Sequence, residues 1–271
     1  MPATARPAAP PETAAPSARP VQGAQSFARG IEVLQMVADA GAPVSRADLA
    51  RRSPLARPTL YRLIASLEAE GLIEPAGDNR YRLGGRLVSL ARAALAQNDV
   101  RAVAAPLLAE LRDETGETVH LAVPSGDALV YIDKIESRET VRMASTIGAR
   151  VPLHSSGVGK AWLSALPEPE AEAWLAQADL PTVTPFTTTA PDALRRIFAA
   201  ARVEGVVRDD QENEVGIVCF GAPILGPDGR PRAAVSVSVP LFRLAEDARY
   251  AVPLRKATEA ISRRLGWTPP R

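Results

Sequence analysis

Between Arg46 and Arg62 the sequence places five arginines (Arg46, Arg51, Arg52, Arg57 and Arg62) against a single acid, Asp48. Arg80 and Arg82 follow on a short segment after a turn. A guanidinium is a rigid fork of donors that meets phosphate or guanine edges bidentately, so this density of arginine points to a polyanion. The formal charge is only +1 over 271 residues, so any such contact must be local. Two other constellations suggest reaction chemistry. Cys219 with His120 or His154, the only histidines, supplies the residue types of a nucleophile and its base, although nothing in the sequence brings them together. Gly157-Val158-Gly159-Lys160 is similar in outline to a phosphate loop. It lacks the glycine spacing and the Ser/Thr after lysine, where Ala161 stands. An enzyme is the weaker reading.

Elements that could position the arginines are legible around them. Ser26 is placed to cap a helix whose stripe is Phe27, Ile31, Leu34 and Val37, ended by Gly41 and Pro43. Ser45 caps a second helix over Arg46–Arg52, with Asp48 at N3 of an approximate capping box. A third helix starts near Pro58, buries Leu60, Leu63, Ile64 and Leu67, and stops at Gly71. Residues 72–75 and 80–83 flank the turn Ala76-Gly77-Asp78-Asn79 and form a hairpin. Three helices and a hairpin in this order make a winged helix-turn-helix. The third helix has the geometry of a recognition helix, with Thr59, Arg62 and Ser66 on a face away from the buried stripe and Arg57 and Tyr61 near its N-terminal end. Arg57 and Arg62 are assigned to base edges and Arg51, Arg52, Arg80 and Arg82 to phosphates, with Arg46, Thr59 and Tyr61 completing the DNA-binding set. A winged helix that binds protein rather than DNA is the open alternative.

The remainder reads as a second domain of the α+β class, an antiparallel sheet with helices packed on it. Strands are expected at 119–123, 129–135, 141–147, 206–209, Ile217–Leu225 and 232–239. Helices are expected at 87–97, 100–115, 157–166, 169–178, Pro191–Glu204 and 245–265. An apolar share of 46% supports a real core, and an aromatic share of 4% leaves its packing to Ala, Leu and Val. One cysteine excludes an intrachain disulfide and a multi-cysteine zinc site, and no metal or cofactor is expected. No apolar run is long enough to span a bilayer and no secretory signal stands at the N-terminus, so the expected location is cytoplasmic, with no membrane partner. The Pro/Ala-rich residues 1–23 read as a disordered tail. Its Arg6 and Arg19 are either phosphate contacts or part of an inert solvated arm.

Several stretches together carry a family resemblance. They are Ser26-Phe27-Ala28-Arg29-Gly30-Ile31-Glu32-Val33-Leu34, Leu49-Ala50-Arg51-Arg52, Pro58-Thr59-Leu60-Tyr61-Arg62-Leu63 and Leu67-Glu68-Ala69-Glu70-Gly71. They continue with Tyr81-Arg82-Leu83-Gly84, Val151-Pro152-Leu153-His154-Ser155-Ser156-Gly157-Val158-Gly159-Lys160-Ala161 and Glu212-Asn213-Glu214-Val215-Gly216-Ile217-Val218-Cys219. Ala222-Pro223-Ile224 and Ala234-Val235-Ser236-Val237-Ser238 complete the set. In this order and spacing the chain resembles the IclR family of bacterial transcriptional regulators. The resemblance implies a DNA-binding domain (24–85), a linker helix (86–99) and a GAF-like effector-binding domain (100–271). It also implies a homodimer or a tetramer (dimer of dimers) on a palindromic operator in double-stranded DNA, mostly acting as a repressor, with a small organic acid as effector.

The resemblance places the effector site at Ser156, Gly157 and Val158, at Asp209 and Cys219, and at Ser236 and Ser238. The residue chemistry agrees. Amides at a helix start favour an anion, and two serines two apart on a strand face the same side. Asp209 would repel a carboxylate, so it is expected to accept from a hydroxyl or hydrated carbonyl. Met143 and Val151 are candidates for the apolar wall, although core packing explains them equally well. His154 stands before the anion site, either touching ligand or making a structural hydrogen bond.

Overall fold

A computed structural model describes residues 24–96, 99–140 and 143–269. The tail 1–23, with Arg6 and Arg19, lies outside the described residues. The chain divides into an N-terminal unit ahead of Asp99 and a C-terminal unit from Asp99 onward.

In the N-terminal unit the order is α1 (Gln25–Asp39), β1 (Val44–Ser45), α2 (Arg46–Arg52), α3 (Arg57–Ala69), β2 (Ile73–Pro75), β3 (Arg80–Leu83) and α4 (Gly85–Ala96). Ser45 caps α2 by accepting from the Asp48 amide at 3.1 Å, and its hydroxyl donates to the Asp48 carboxylate at 2.6 Å. Gly71 adopts φ +65° just beyond α3, the left-handed position that lets the chain reverse into β2. The wing turn at Gly77, Asp78 and Asn79 is left-handed throughout. β1 adds a third strand that the sequence did not announce, giving the antiparallel order β1-β3-β2. Val33, Val37, Leu49, Leu60, Ile64 and Tyr81 close the core between the helices and this sheet.

Two expectations for α1 are corrected. Ser26 lies inside the helix, whose N-cap residue is Ala24 with no side-chain cap. The buried face is Gly30, Val33 and Val37, while Phe27 and Ile31 are 74% and 45% exposed. The helix carries two apolar stripes, and its own core takes the one with Val33 and Val37, packed among Leu60, Ile64 and Tyr81. Phe27 and Ile31 form the second. On α4, Val88 and Leu90 are likewise exposed.

In the C-terminal unit, α5 (Asp99–Thr115), β4 (Thr118–Ser125), β5 (Ala128–Ile135) and β6 (Arg150–Val151) lead into α6 (Gly157–Ser164), α7 (Glu168–Leu175) and α8 (Pro191–Glu204). Then come β7 (Val207–Asp210), β8 (Ile217–Leu225), β9 (Pro231–Pro240) and α9 (Ala248–Arg264), preceded by a 3-10 turn at Leu241–Arg243. The six strands form one antiparallel sheet in the order β6-β5-β4-β9-β8-β7. Phe220 stacks on Tyr250 of α9 with ring centroids 5.3 Å apart, so alternate positions of β8 face opposite layers. α5 and α9 cover that face. α6, α7 and α8 cover the other, over Ala122, Leu129, Val207 and Ala234.

The strand expected at 141–147 is absent over its described part. Residues 143–146 are extended loop, and the short strand of this region is β6. The cause is a side chain. The Lys134 ammonium donates to the Met143 and Ser145 carbonyls, both at 2.8 Å, removing the acceptors a ladder would use. α9 also begins three residues later than the pattern suggested, because the 3-10 turn takes up the approach.

Candidate nucleic-acid interface and ligand site

α3 is held by Leu60, Ile64 and Leu67, which leaves Arg57, Tyr61 and Arg62 exposed and Thr59 half-buried. Ser66 returns its hydroxyl to the Arg62 carbonyl at 3.0 Å. The arginines then separate into two groups. Arg46 bonds the Tyr81 hydroxyl through Nε at 2.9 Å and lies 5.2 Å over its ring, tying α2 to the wing. Arg51 is paired with Asp48, Arg82 bonds Glu74 across the hairpin at 2.7 Å, and Arg80 donates to the Pro43 carbonyl at 3.2 Å. Among the described residues, Arg52, Arg57 and Arg62 make no hydrogen bond or ion pair. The sequence reading passed over Arg86 at the start of α4, which is paired with Glu70 at the end of α3.

The second site forms where the polar end of the sheet meets α6. Asp209 pairs with Cys219 across β7 and β8, Cys219 with Ser238 across β8 and β9, and Ser238 with Thr118 across β9 and β4. Directly opposed residues share a face, so register alone brings Asp209, Cys219 and Ser238 together. Ser236 lies one pair further along the same face, between Gly221 and His120. The Cys219 thiol is 3.3 Å from the Ser238 hydroxyl, which is 3.3 Å from His120 Nδ1; His120 Nε2 is 2.7 Å from the Ser145 hydroxyl. A continuous hydrogen-bonded row thus runs from β8 to the loop after β5.

α6 closes against this row because glycine permits it. A Cβ on Gly221 would stand 2.1 Å from the Gly157 carbonyl oxygen, and one on Gly157 would stand 3.0 Å from the Cys219 Cβ. The Ser156 hydroxyl accepts from the Gly159 amide at 3.1 Å and donates to the Pro152 carbonyl at 2.6 Å. Its side chain is therefore spent on the cap. The amides of Gly157 and Val158, in the first turn, have no acceptor within the helix, the arrangement that favours an anion at a helix start. Beside them Ser155 is fully buried, and its hydroxyl has no partner among the described residues. Met143 is buried at the edge of the loop, whereas Val151 belongs to the apolar core under α6, with Leu129 opposite. His154 does not join the row; Nε2 donates to the Pro181 carbonyl at 2.9 Å.

Burial sets the protonation states. It pushes the Asp209 carboxyl up to about 7, opposed by the Lys160 charge and the Glu212 amide at 2.8 Å. It pushes His120 down to about 3, helped by the Lys134 charge, so the imidazole is neutral. It pushes the Cys219 thiol and the Tyr131 phenol, whose ring lies 4.6 Å from His120, well above their ordinary values. A neutral thiol separated from a neutral imidazole by Ser238 is not an activated nucleophile. A carboxyl raised to about 7 is able to donate in its protonated form as well as to accept. Ser145 and Tyr131 were missed in the sequence, and His120 was named there only as a base for Cys219. Behind the site, Lys160 is fully buried and paired with Glu212, which also accepts from the Thr188 amide at 3.0 Å. The Gly157–Lys160 segment is therefore a capped helix start with a structural ion pair.

Known proteins match both units. The IclR helix-turn-helix domain matches residues 26–77, and the bacterial transcriptional regulator IclR C-terminal domain matches residues 92–263. The chain is 33% identical over 246 residues to the HTH-type transcriptional regulator XynR of Escherichia coli, covering 90% of this chain and 98% of that protein. It is 29% identical over 247 residues to the transcriptional repressor IclR of E. coli, covering 89% of this chain and 90% of that protein. Its fold matches an IclR homolog from Microbacterium hydrocarbonoxydans complexed with 4-hydroxybenzoate, with a TM-score of 0.77 and 28% identity over 89% of this chain and 99% of that one. Such relatives are regulators of transcription rather than enzymes, and among the described residues no helix is long and apolar enough to cross a membrane. The helix-turn-helix unit and the C-terminal unit each match their counterpart in these regulators, and the chain belongs to the IclR family of bacterial transcriptional regulators.

Proposed function

We propose that this chain is a repressor that binds a palindromic operator, and that a small organic acid in the C-terminal site controls its affinity for DNA. The observation that carries the DNA reading is the set of uncompensated arginines, Arg52, Arg57 and Arg62, on and beside the exposed face of α3. Arg57 and Arg62 read base edges, and Arg52 and Arg80 hold phosphates. Arg51 and Arg82 reach phosphate by exchanging Asp48 and Glu74 for it, and Arg46 supports the wing through Tyr81. Repression follows the related E. coli repressor.

The acid lies between the α6 amides and the sheet. Its carboxylate meets the Gly157 and Val158 amides and Asp209, and its remaining polar group meets Ser236 or Ser238. The relative bound to 4-hydroxybenzoate supports this ligand class. Homodimers, and tetramers as pairs of them, are supported by the second apolar stripe of α1 and by Val88 and Leu90, all exposed among the described residues.

The test is fluorescence anisotropy of the full chain on DNA from its own promoter, across a salt series, after a thermal-shift screen of hydroxy-, oxo- and aromatic acids. Sequence-specific binding that weakens steeply with salt, and shifts with a screened acid, supports the proposal. Salt-insensitive association without sequence preference would leave a protein-binding winged helix.

A further inference from the structure

β8 and α6 each have a second end, and a cleft of about 490 Å³ opens there. Its walls are the C-terminal end of α6, the C-terminal end of α8, the β8–β9 turn and α9. From Cys219 to Leu225 along β8 is about 20 Å, so this cleft is separate from the site at the α6 N-terminus. Its size is that of a small-molecule pocket.

The chemistry of the lining is uneven. Leu166, Pro167, Pro223, Leu225 and the half-buried indole of Trp267 supply a largely apolar wall. The charges at the rim do not cancel. Arg230 is bound to Glu170 at 2.5 and 2.9 Å, Asp228 lies 3.4 Å from Arg232, and Glu259 lies 3.9 Å from Arg263. Arg202 and Arg255 have no carboxylate among the described residues. They donate only to helix-end carbonyls, Arg202 to Ser164 at 2.9 Å and Arg255 to Glu204 at 3.3 Å. The Arg255 stem is held across Gly205, where an added Cβ would stand 3.1 Å from its Cδ. A second hollow of about 420 Å³ shares both arginines and adds Lys256.

We propose that this cleft is a second ligand site, for a small aromatic carboxylate whose ring lies against Trp267 and the apolar wall and whose carboxylate bridges Arg202 and Arg255. Two guanidinium groups bonded only to carbonyls keep donors free for an anion. An indole beside prolines and leucines favours a flat apolar body over a hydrated ion such as inorganic phosphate.

The experiment uses the full chain carrying Ser236→Ala and Ser238→Ala, with 5-fluorotryptophan incorporated and the Trp267 resonance assigned from Trp267→Phe. Benzoate should shift that resonance saturably, and benzamide, with the same ring and no charge, should bind at least about tenfold more weakly. Arg202→Ala with Arg255→Ala should weaken benzoate by a similar factor. Glu259→Gln, which removes a rim carboxylate and leaves both arginines in place, should tighten it and serves if the double variant does not fold. No saturable shift at millimolar benzoate overturns the proposal. So does equal binding of benzamide, or a benzoate response that neither arginine loss nor Glu259→Gln alters.

Discussion

Asp209 offers the sharpest test of the effector reading, through pH. Burial pushes its carboxyl up to about 7 from 3.8. Burial also holds His120 near 3, so it stays neutral, and pushes the Cys219 thiol up out of range. A bound carboxylate therefore meets either a neutral donor or a second negative charge, according to one proton. With the midpoint at about 7, roughly nine-tenths of Asp209 is protonated at pH 6 and about one-tenth at pH 8. If the protonated form alone binds, affinity falls about tenfold over that interval, or ~1.4 kcal/mol. The stability of the free protein has the same sign. A carboxyl whose folded value lies above its unfolded one binds its proton more tightly when folded, so stability declines as pH climbs from about 4 to about 7. The assay is calorimetric titration from pH 6 to 8 with the acid recovered from the thermal-shift screen, starting with 4-hydroxybenzoate. Asp209→Asn keeps an oxygen for the Glu212 amide and puts a permanent donor where the proton was, so its profile should be flat. An affinity that is constant or rises with pH in the unmodified protein would refute the reasoning.

Other expectations concern the interface, the docking of α6 and the buried row. Arg62→Ala should relax base preference, with about 1–3 kcal/mol lost on the best operator, whereas Arg80→Ala should weaken all sequences alike and lower the salt slope by about one; equal loss of specificity in both would show the roles misassigned. Gly221→Ala places a methyl 2.1 Å from the Gly157 carbonyl oxygen and should destabilise by ~1–3 kcal/mol, read as a lower chemical-denaturation midpoint. Lys160→Met strands the Glu212 charge in the interior and should cost about 3–5 kcal/mol in the same measurement. Phe27→Asp with Val88→Asp should shift sedimentation toward monomer while leaving the far-ultraviolet spectrum unchanged, because both side chains are solvent-facing within the chain.

The parts of the fold that were legible carry their cause within a few residues. Ser45 caps a helix whose third residue is Asp48, Gly71 reverses the chain after α3, and α8 runs between Pro191 and a left-handed Gly205. The failures have non-local causes. α1 has two apolar stripes, and the residues of α3 and the hairpin that pack on Val33 and Val37 select between them. Residues 143–147 alternate like a strand, but the ammonium of Lys134 claims their carbonyls. The site divides the same way. That Ser236 and Ser238 share a face is a matter of parity along one strand. That Ser238 meets His120, 118 positions away, is a matter of sheet register, which no local pattern encodes.

Charge shows the same contrast between what a sum reports and what placement decides. A net charge of +1 says nothing about where a polyanion would bind. The pairing of individual arginines does. In the C-terminal unit Arg112, Arg150, Arg195, Arg208 and Arg243 each meet a carboxylate, several of them bidentately or in pairs, and the exposed ones, such as Arg195 with Glu172, add little stability. Arg57 and Arg62 on α3, and Arg202 and Arg255 at the second cleft, meet no carboxylate among the described residues. An incoming anion has no acidic partner to displace from these guanidinium groups. At Arg51 and Arg82 it must exchange with Asp48 or Glu74. On the proposed DNA reading the interface is graded, with Arg52, Arg57 and Arg62 already free and Arg51 and Arg82 released only as DNA replaces Asp48 and Glu74.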